Sequence, residues 1–341
     1  MALVPCRRSN GCQIVAGPRG FRGPTGPTGS AFLAAGMYDG DYLRWSTAAG
    51  GTWAVGSDRV ALGRGTTAPA DGAGAGSVAI GPFAGQTNQL ENSIAIGYGA
   101  GGFNQSGNCI AVGNGAGGTL QRQWSVAIGA LAGQCAQSEF AVAVGYNAGN
   151  ADQQQSAVAI GSGAGQVSQE ANAVAVGYNA GAGTQGSNSV AIGFDAATGT
   201  QGANCVAIGY QTAAFTQQPG AVAIGCCAGQ NTQGEEAVAI GFNAAANAQP
   251  PQSVAIGTGT VVQGPPGAVA IGAGTFIDTG INSARAVVLN GTNAVFGPPS
   301  GFTSQGFWVR PVRGITLGQV TGTVAPVYYD YAAGEFLFLQ T

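Results

Sequence analysis

The cysteines and one pair of adjacent acids are the residues of this chain whose types could serve a catalytic or metal-binding site. The cysteines are Cys6, Cys12, Cys109, Cys135, Cys205, Cys226 and Cys227, and the acids are Glu235 and Glu236. The chain has no His, and all eleven of its basic residues are Arg. Without His there is no Ser-His-Asp or Cys-His nucleophile and no His-ligated metal, and without Lys there is no P-loop or Schiff-base lysine. We therefore predict that the protein is not an enzyme and holds no cofactor or metal.

The composition indicates which class of protein remains. Of the 341 residues, 62 are Gly, 45% are hydrophobic and 7% are charged, and the net charge is −3. An acidic chain carries no electrostatic footprint for nucleic acid, and no segment approaches the ~20 consecutive apolar residues of a membrane span. The first ten residues lack the apolar region of a Sec signal peptide. These observations favour a repetitive or fibrous protein that neither binds nucleic acid nor inserts into a membrane.

A five-residue word, Ser/Ala-Val-Ala-Ile/Val-Gly, recurs at a constant interval along the chain. It begins at Ser77 and returns at every sixteenth residue up to Ser253, and a further copy at Ala268 comes one residue early. Frayed copies stand at 59–63 and 286–291. Large and small residues alternate within the word, which is the period of a β-strand. The pattern predicts a stack of sixteen-residue coils over residues 77–272, closed by atypical end coils.

Two other residue types recur with the same period. Gly ends all thirteen words, and because Gly adopts positive φ without steric cost, each is predicted to turn a corner of the coil. These corner glycines are Gly81, Gly97, Gly113, Gly129, Gly145, Gly161, Gly177, Gly193, Gly209, Gly225, Gly241, Gly257 and Gly272. A Gln stands twelve residues after the start of eleven words, at Gln89, Gln105, Gln121, Gln137, Gln153, Gln169, Gln185, Gln201, Gln217, Gln233 and Gln249. Stacked coils would bring these amides about 4.8 Å apart, the spacing of a Gln ladder; a polar stripe that binds a ligand is the alternative.

The energetics of one coil indicate that coils must stack and associate. Ordering the residues of one coil costs roughly 16–32 kcal/mol of backbone entropy, whereas burying two large aliphatic side chains returns only about 3–6 kcal/mol. We expect the large residues, such as Val78 and Ile80, to fill the interior of each coil. The small residues, such as Ser77 and Ala79, would then face the axis of a homo-oligomer.

The words Asn188-Ser189-Val190-Ala191-Ile192-Gly193 and Asn92-Ser93-Ile94-Ala95-Ile96-Gly97 resemble the head repeat of YadA-type trimeric adhesins. The resemblance covers residues 77 to about 272, and it implies an all-β, left-handed parallel β-roll that assembles as a homotrimer. The repeat is longer here than the family's usual spacing, so we expect its loops to extend further. Because the family's secretion signal, coiled-coil stalk and membrane barrel have no counterpart in these 341 residues, a self-exporting autotransporter is not expected.

A short run of Gly-x-y triplets precedes the repeats, at residues 17–30. Its glycines, Gly17, Gly20, Gly23, Gly26 and Gly29, occupy every third position, as the crowded axis of a collagen triple helix requires. We therefore predict a short collagen-like stalk similar to those of bacterial and viral proteins; a Gly/Pro-rich linker is the alternative. In the attachment segment 1–16, Cys6 and Cys12 are candidates for interchain disulfides that clamp the stalk, or they are free thiols.

The segments on either side of the repeats differ in composition from them. Residues 31–76 hold Tyr38, Tyr42, Trp45 and Trp53, which predicts an aromatic-rich N-terminal cap; a carbohydrate-binding patch is the alternative. In the β-rich C-terminal tip, 273–341, strands are expected at 306–313 and 327–330, with a hairpin turn at 332–334. The words Phe307-Trp308-Val309-Arg310-Pro311-Val312-Arg313 and Tyr328-Tyr329-Asp330 resemble those of fibre proteins from phages and large DNA viruses. The resemblance implies that residue 341 is a processed end; a natural terminus is the alternative.

These elements together predict a homotrimeric structural fibre, either on a virion surface or in an extracellular filament, with head-to-tail polymerisation as a further hypothesis. Its partners would be further copies of itself and a capsid or host surface. The alternative is a trimeric adhesin that recognises a host glycan or protein through its repeat loops or its C-terminal tip. An ice-binding solenoid is a third interpretation, against which stands the lack of a flat Thr-rich face.

Overall fold

The computed structural model describes residues 42–46, 52–56, 59–66, 74–277, 286–290, 307–310, 327–330 and 335–338. The chain divides into two units, Met1–Ser57 and Asp58–Thr341. All regular structure in the described residues is β-strand, with no helix. The strands are β1 (Tyr42–Ser46), β2 (Thr52–Gly56), β3 (Val60–Leu62), β4 (Val78–Ile80), β5 (Ile94–Ile96), β6 (Phe103–Gln105), β7 (Ile110–Val112), β8 (Thr119–Gln121), β9 (Val126–Ile128), β10 (Cys135–Gln137), β11 (Val142–Val144), β12 (Ala151–Gln153), β13 (Val158–Ile160), β14 (Val174–Val176), β15 (Thr184–Gln185), β16 (Val190–Ile192), β17 (Thr200–Gln201), β18 (Val206–Ile208), β19 (Thr216–Gln217), β20 (Val222–Ile224), β21 (Thr232–Gln233), β22 (Val238–Ile240), β23 (Val254–Ile256), β24 (Val261–Val262), β25 (Val269–Ile271), β26 (Phe276–Ile277), β27 (Val287–Asn290), β28 (Phe307–Arg310), β29 (Val327–Asp330) and β30 (Glu335–Phe338).

The second unit is a parallel β-solenoid whose main wall is one sheet of sixteen strands. The sheet runs in sequence order from β3 to β28 and takes one strand from every recurring word and from both frayed copies. Each strand of the regular coils pairs with the equivalent strand one repeat further on, as Val142 does with Val158. Parallel strands need a crossover between them, and here the rest of the coil supplies it. The predicted parallel solenoid with sixteen-residue coils is therefore confirmed.

Departures from the regular step concentrate at the two ends. The step shortens by one residue where Val254 pairs with Val269, after the segment that contains Gly264-Pro265-Pro266. It lengthens by two residues between Val60 and Val78 and again between Val269 and Val287. The parallel register survives each change, so the extra or missing residues are absorbed in the turns.

A second wall is built from shorter parallel strands on the Gln side of the coils. It consists of the sheets β6–β8–β10–β12, β15–β17–β19–β21 and β24–β26. Isolated parallel bridges join Gln153 to Gln169, Gln169 to Gln185, and Gln233 to Gln249. Each coil thus has two extended segments, and the residues between them form the corners.

The corner glycines all have φ between +117° and +138°, a region that L side chains rarely adopt. Close stacking is a second reason for Gly there. A Cβ on Gly145 would lie 2.5 Å from the carbonyl oxygen of Gly161 in the next coil. Any side chain at this corner would therefore push adjacent coils apart.

The interior of the coil is filled by small residues and Gln, which corrects our expectation of large aliphatic residues there. Ala79 and Ala84 are fully buried, as are their equivalents in the other regular coils, and so is the small first residue of each word, such as Ser77. Val78 and Ile80 are only partly buried, because their side chains point outward from the main wall. The predicted assignment of the two faces was therefore wrong. A coil of this length encloses a lumen too narrow for a row of Val and Ile beside the Gln side chains.

Several predicted features lie outside the described residues. These are the attachment segment 1–16 with Cys6 and Cys12, the collagen-like run 17–30, and most of the tip 273–341. Within the aromatic-rich segment, β1 and β2 form an antiparallel hairpin. In the tip, β29 and β30 form the predicted antiparallel hairpin across residues 331–334.

Candidate functional site

The glutamines stack inside the coils and hydrogen-bond along the solenoid. The Nε2 atom of Gln105 donates to the carbonyl oxygen of Ile94 at 2.9 Å and to Oε1 of Gln121, one coil on, at 3.0 Å. The same pair of bonds recurs at the equivalent positions: it links six glutamines from Gln105 to Gln185 and three from Gln201 to Gln233. Each amide therefore joins the two walls of its own coil and also joins adjacent coils.

The ladder has three breaks that the even spacing of the sequence does not reveal. Gln89 makes no bond to Gln105, and the links into Gln201 and Gln249 are absent as well. These breaks leave the Oε1 atoms of Gln105, Gln201 and Gln249 buried without a hydrogen-bond partner, and Oε1 of Gln89, at the start of the column, also lacks one. Ala197 and Ala245 stand where most coils have a Gly whose added Cβ would contact the ladder oxygen. Ala213 occupies the same place beside the intact Gln217, so a methyl group alone does not break the ladder.

Burial decides between the two interpretations of the glutamine column. All eleven side chains are between 0% and 3% exposed. A ligand in solvent therefore has no access to them, and their hydrogen bonds are made within the coil and between coils. Any surface of the described solenoid that binds a ligand must therefore lie on its outer faces.

An apolar face runs along the outside of the main wall. Each of the thirteen word strands presents two outward aliphatic side chains, and these stack in register as Val142, Val158 and Val174 do. They are partly exposed; Ile160, for example, is 41% exposed. At about 4.8 Å per coil the face extends for roughly 60 Å. Contiguous exposed apolar areas of this extent mark interaction sites in soluble proteins.

Aromatic rings form columns directly after the corner glycines. Tyr178, Phe194 and Tyr210 are stacked nearly parallel, with ring centroids 5.1 and 5.3 Å apart. The rings are about half exposed, and their spacing follows the coil repeat. On another edge of the coil, Trp124 stacks on Phe140 at 5.0 Å. These columns were not predicted, although aromatic residues one repeat apart are visible in the sequence.

A shallow groove beside the second wall combines apolar and charged groups. It is lined by Leu90, Leu120, Arg122 and Glu139, together with neighbouring amide and hydroxyl side chains. Arg122 is the one basic residue between positions 77 and 267, and its side chain is exposed. The groove could therefore contact both apolar and acidic groups of a partner.

A column of threonines runs along part of the second wall. Thr184, Thr200, Thr216 and Thr232 pair in register, and their side chains point outward while the adjacent glutamines point inward. The column is one residue wide and four coils long. It is therefore not the flat Thr-rich face that an ice-binding solenoid would need.

The described thiols occupy three environments. Cys109 and Cys205 replace the small first residue of a word and are fully buried, and desolvation raises the pKa of both thiols. Cys135 is exposed. Cys226 and Cys227 lie at a corner, with their Sγ atoms 3.5 Å apart.

Among the described residues no three His, Cys, Asp or Glu side chains are grouped so as to hold a metal ion. In the same residues no helix is long and apolar enough to cross a membrane.

Comparison with known proteins supports the repeat and leaves the rest of the chain unmatched. A family model described as the YadA head domain repeat (2 copies) matches residues 169–196, 233–260 and 251–275. All three segments lie in the solenoid, and they support a β-roll repeat of the YadA type. No curated protein and no solved structure matches the chain. The match favours the adhesin-like interpretation over a structural role on a virion, and the predicted resemblance of the tip to viral fibres stays a prediction.

Proposed function

We propose that this protein is an adhesin-like surface fibre in which three copies associate through the apolar face of the main wall. It would act without catalysis and would bind a host glycan or protein through the outer surfaces that remain free. The observation that carries the proposal is the row of outward Val and Ile side chains. The similarity of the solenoid to YadA head repeats supports the adhesin-like role.

The energetics of the apolar face favour association. Full burial of a Val or Ile side chain is worth about 1.5–3 kcal/mol, so covering the exposed 41% of Ile160 contributes about 1 kcal/mol. The other outward side chains of the thirteen strands are less exposed than Ile160, so each contributes less. Summed over three copies, they still offset the roughly 4–15 kcal/mol that each association costs in lost freedom of movement.

Three is the number of copies that the sequence favours. A collagen-like run with Gly at every third position, as at Gly17–Gly29, needs three chains around one axis. The resemblance of the repeats to YadA-type heads implies the same number of copies. The left-handed sense of the coil belongs to the same proposal and has the same basis.

The oligomer is tested by sedimentation equilibrium of the full chain. We expect the wild-type protein to sediment as a trimer and the Ile160→Asp variant to dissociate, because three carboxylates would be buried near one axis without partners. The Asp side chain would point away from the coil interior, so the coil itself should persist in circular dichroism. Phe215→Ser is the matched control: Phe215 is 62% exposed but lies outside the main wall. A stable wild-type monomer would overturn the trimeric fibre.

The adhesive role is tested on a glycan array and in a cell-binding screen with the wild-type trimer. Binding should depend on the free surfaces, so an Arg122→Gln variant and a Phe194→Ala variant distinguish the groove from the aromatic column. If both screens stay blank, the structural fibre on a virion or in an extracellular filament becomes the better explanation. Negative-stain microscopy would then separate single rods from head-to-tail filaments.

A further inference from the structure

Two neighbouring thiols interrupt the aromatic column of the solenoid. Cys226 occupies the position after the corner glycine that Tyr210 holds one coil before and Phe242 one coil after. Cys227 follows with φ of +57°, and this left-handed conformation accompanies the close approach of the two Sγ atoms, 3.5 Å apart. Both side chains are partly exposed. The thiols are therefore accessible from solvent and already adjacent.

The sulfur separation selects the geometry of an atom that both thiols could bind. With sulfur bonds of about 2.3 Å, sulfurs 3.5 Å apart subtend an angle of about 100° at a shared atom. A linear two-coordinate ion would need the sulfurs about 4.6 Å apart at the same bond length. An angle near 100° is that of a pyramidal, three-coordinate centre such as trivalent arsenic. That centre takes two ligands from the protein and keeps one substituent of its own.

The backbone holds the two cysteines at this separation. The N–H group of Cys227 donates to the carbonyl oxygen of Tyr210 at 2.9 Å, and the carbonyl oxygen of Cys226 accepts from the N–H group of Asn243 at 2.9 Å. The peptide unit between the thiols is therefore fixed to the coil on each side. Closing a disulfide would bring the sulfurs to about 2.0 Å and would strain these bonds, whereas an atom bridging them at 3.5 Å requires little movement.

Aromatic side chains border the thiols along the column. One face of the Tyr210 ring is covered by Phe194 at 5.3 Å, which leaves its other face toward the coil of Cys226. Phe242 is 54% exposed on the following coil. The two aromatic residues are two coils apart, about 9.6 Å, and a single aryl ring stacked between them would fit that gap.

We propose that Cys226 and Cys227 form a dithiol site that captures a trivalent arsenical, with an aryl substituent accommodated between Tyr210 and Phe242. An arsenoxide loses its oxygen as water: two S–H bonds and the arsenic–oxygen bond break, and two arsenic–sulfur bonds form. No electron is transferred, so the reaction needs no oxidant or reductant. Desolvation, with the contact to Cys226, raises the pKa of the Cys227 thiol. The two S–H protons leave in the water molecule.

The test uses phenylarsine oxide on the full-length protein after reduction with a phosphine. Intact-mass measurement should find one phenylarsenic group per chain at this site, with the loss of two titratable thiols. The adduct should survive excess mercaptoethanol and be released by a dithiol. Replacing one thiol, in Cys226→Ser or Cys227→Ser, removes chelation, and with it an advantage of about 10²–10⁴ in apparent affinity.

Two control variants separate this site from the other thiols. Cys135→Ser and the double variant Cys6→Ser/Cys12→Ser should retain the full dithiol-reversible adduct. Peptide mapping should place the modification on the peptide that contains both corner cysteines. An adduct that persists unchanged in Cys226→Ser, or a wild-type protein that takes up no phenylarsenic group after reduction, would overturn the proposal. Neither result bears on trimer formation, which sedimentation tests separately.

Discussion

The hydrogen bonds of the glutamine ladder predict a stability difference between two otherwise equivalent positions. Gln153 donates to the carbonyl oxygens of Val142 at 2.8 Å and Ala157 at 3.3 Å. Gln249 makes the same two bonds in its own coil, at 2.9 and 3.2 Å. Only Gln153 also bonds to the glutamines on both sides. Substituting each by Ala therefore removes the same intracoil bonds, and the ladder bonds account for the difference.

The magnitude follows from the partners that are left behind. In Gln153→Ala, Gln137 loses one acceptor but keeps two others, a loss of about 1 kcal/mol. The Oε1 atom of Gln169 loses its donor while buried, which costs about 1–3 kcal/mol. Gln249→Ala leaves no such orphan and removes an oxygen that already lacks a partner. We expect Gln153→Ala to destabilise its coil by at least about 2 kcal/mol more than Gln249→Ala does.

The assay must be local, because repeat proteins unfold in pieces rather than as one cooperative unit. Peptide-resolved hydrogen exchange on the full-length protein measures the opening of each coil. A difference of about 2 kcal/mol corresponds to roughly 30-fold faster exchange in peptides spanning 141–160 of the first variant than in peptides spanning 237–256 of the second, each relative to wild type. Equal acceleration at both positions would refute the reasoning that the amide ladder joins the coils.

Other predictions follow from the corners, thiols and aromatic columns. Gly145→Ala places a methyl group 2.5 Å from the next coil's carbonyl oxygen and should lower the melting temperature far more than Gly99→Ala, whose Cβ would meet nothing within 4 Å and costs only about 1–2 kcal/mol of backbone strain. Desolvation raises the pKa of Cys109, so less thiolate is present at pH 8; mass spectrometry should find it unmodified by iodoacetamide when the exposed Cys135 is fully alkylated. Phe194→Ala removes two stacking contacts worth about 0.5–1.5 kcal/mol each, and unchanged thermal stability together with an unchanged near-ultraviolet spectrum would contradict that estimate.

The repeating elements of the fold were predictable because each has a local physical cause. An alternating word makes a strand, a Gly with positive φ makes a corner, and a fixed sixteen-residue period makes the register, which the pairing of Val142 with Val158 confirms. The end coils, which begin at Val60 and end beyond Val287, follow from weaker copies of the same word.

The inside and outside of the wall were not predictable from alternation alone, since both faces of a strand share a period of two. A better signal was the range of residue types that each position of the word accepts across its copies. The buried first position accepts only Ser, Ala or Cys across thirteen copies, and the third only Ala, whereas the second and fourth exchange Val and Ile. A narrow lumen imposes the stricter limit on size. The range of residue types accepted at a position of the repeat therefore identifies the interior of the coil better than hydrophobicity does.

The candidate surfaces required three-dimensional information. The breaks before Gln201 and Gln249 could not be predicted from the sequence, because Ala213 accompanies an intact link at the place where Ala197 and Ala245 accompany breaks. The contact between the thiols of Cys226 and Cys227 depends on the corner conformation as well as on their adjacency in sequence. The stacked rings, in contrast, could have been found by comparing residues one repeat apart.

The direction of the backbone hydrogen bonds determines how the solenoid would respond to a pulling force. The bonds between coils, such as that from Gly145 N–H to the carbonyl oxygen of Ile128, run along the solenoid axis, so axial tension stretches them rather than shearing them. Coils then resist in series, and the weakest one detaches first. A detached coil replaces about 4.8 Å of solenoid with an extended chain of roughly 55 Å. The solenoid would therefore lengthen in steps of about 50 Å, and each step would dissipate energy before the next coil opens.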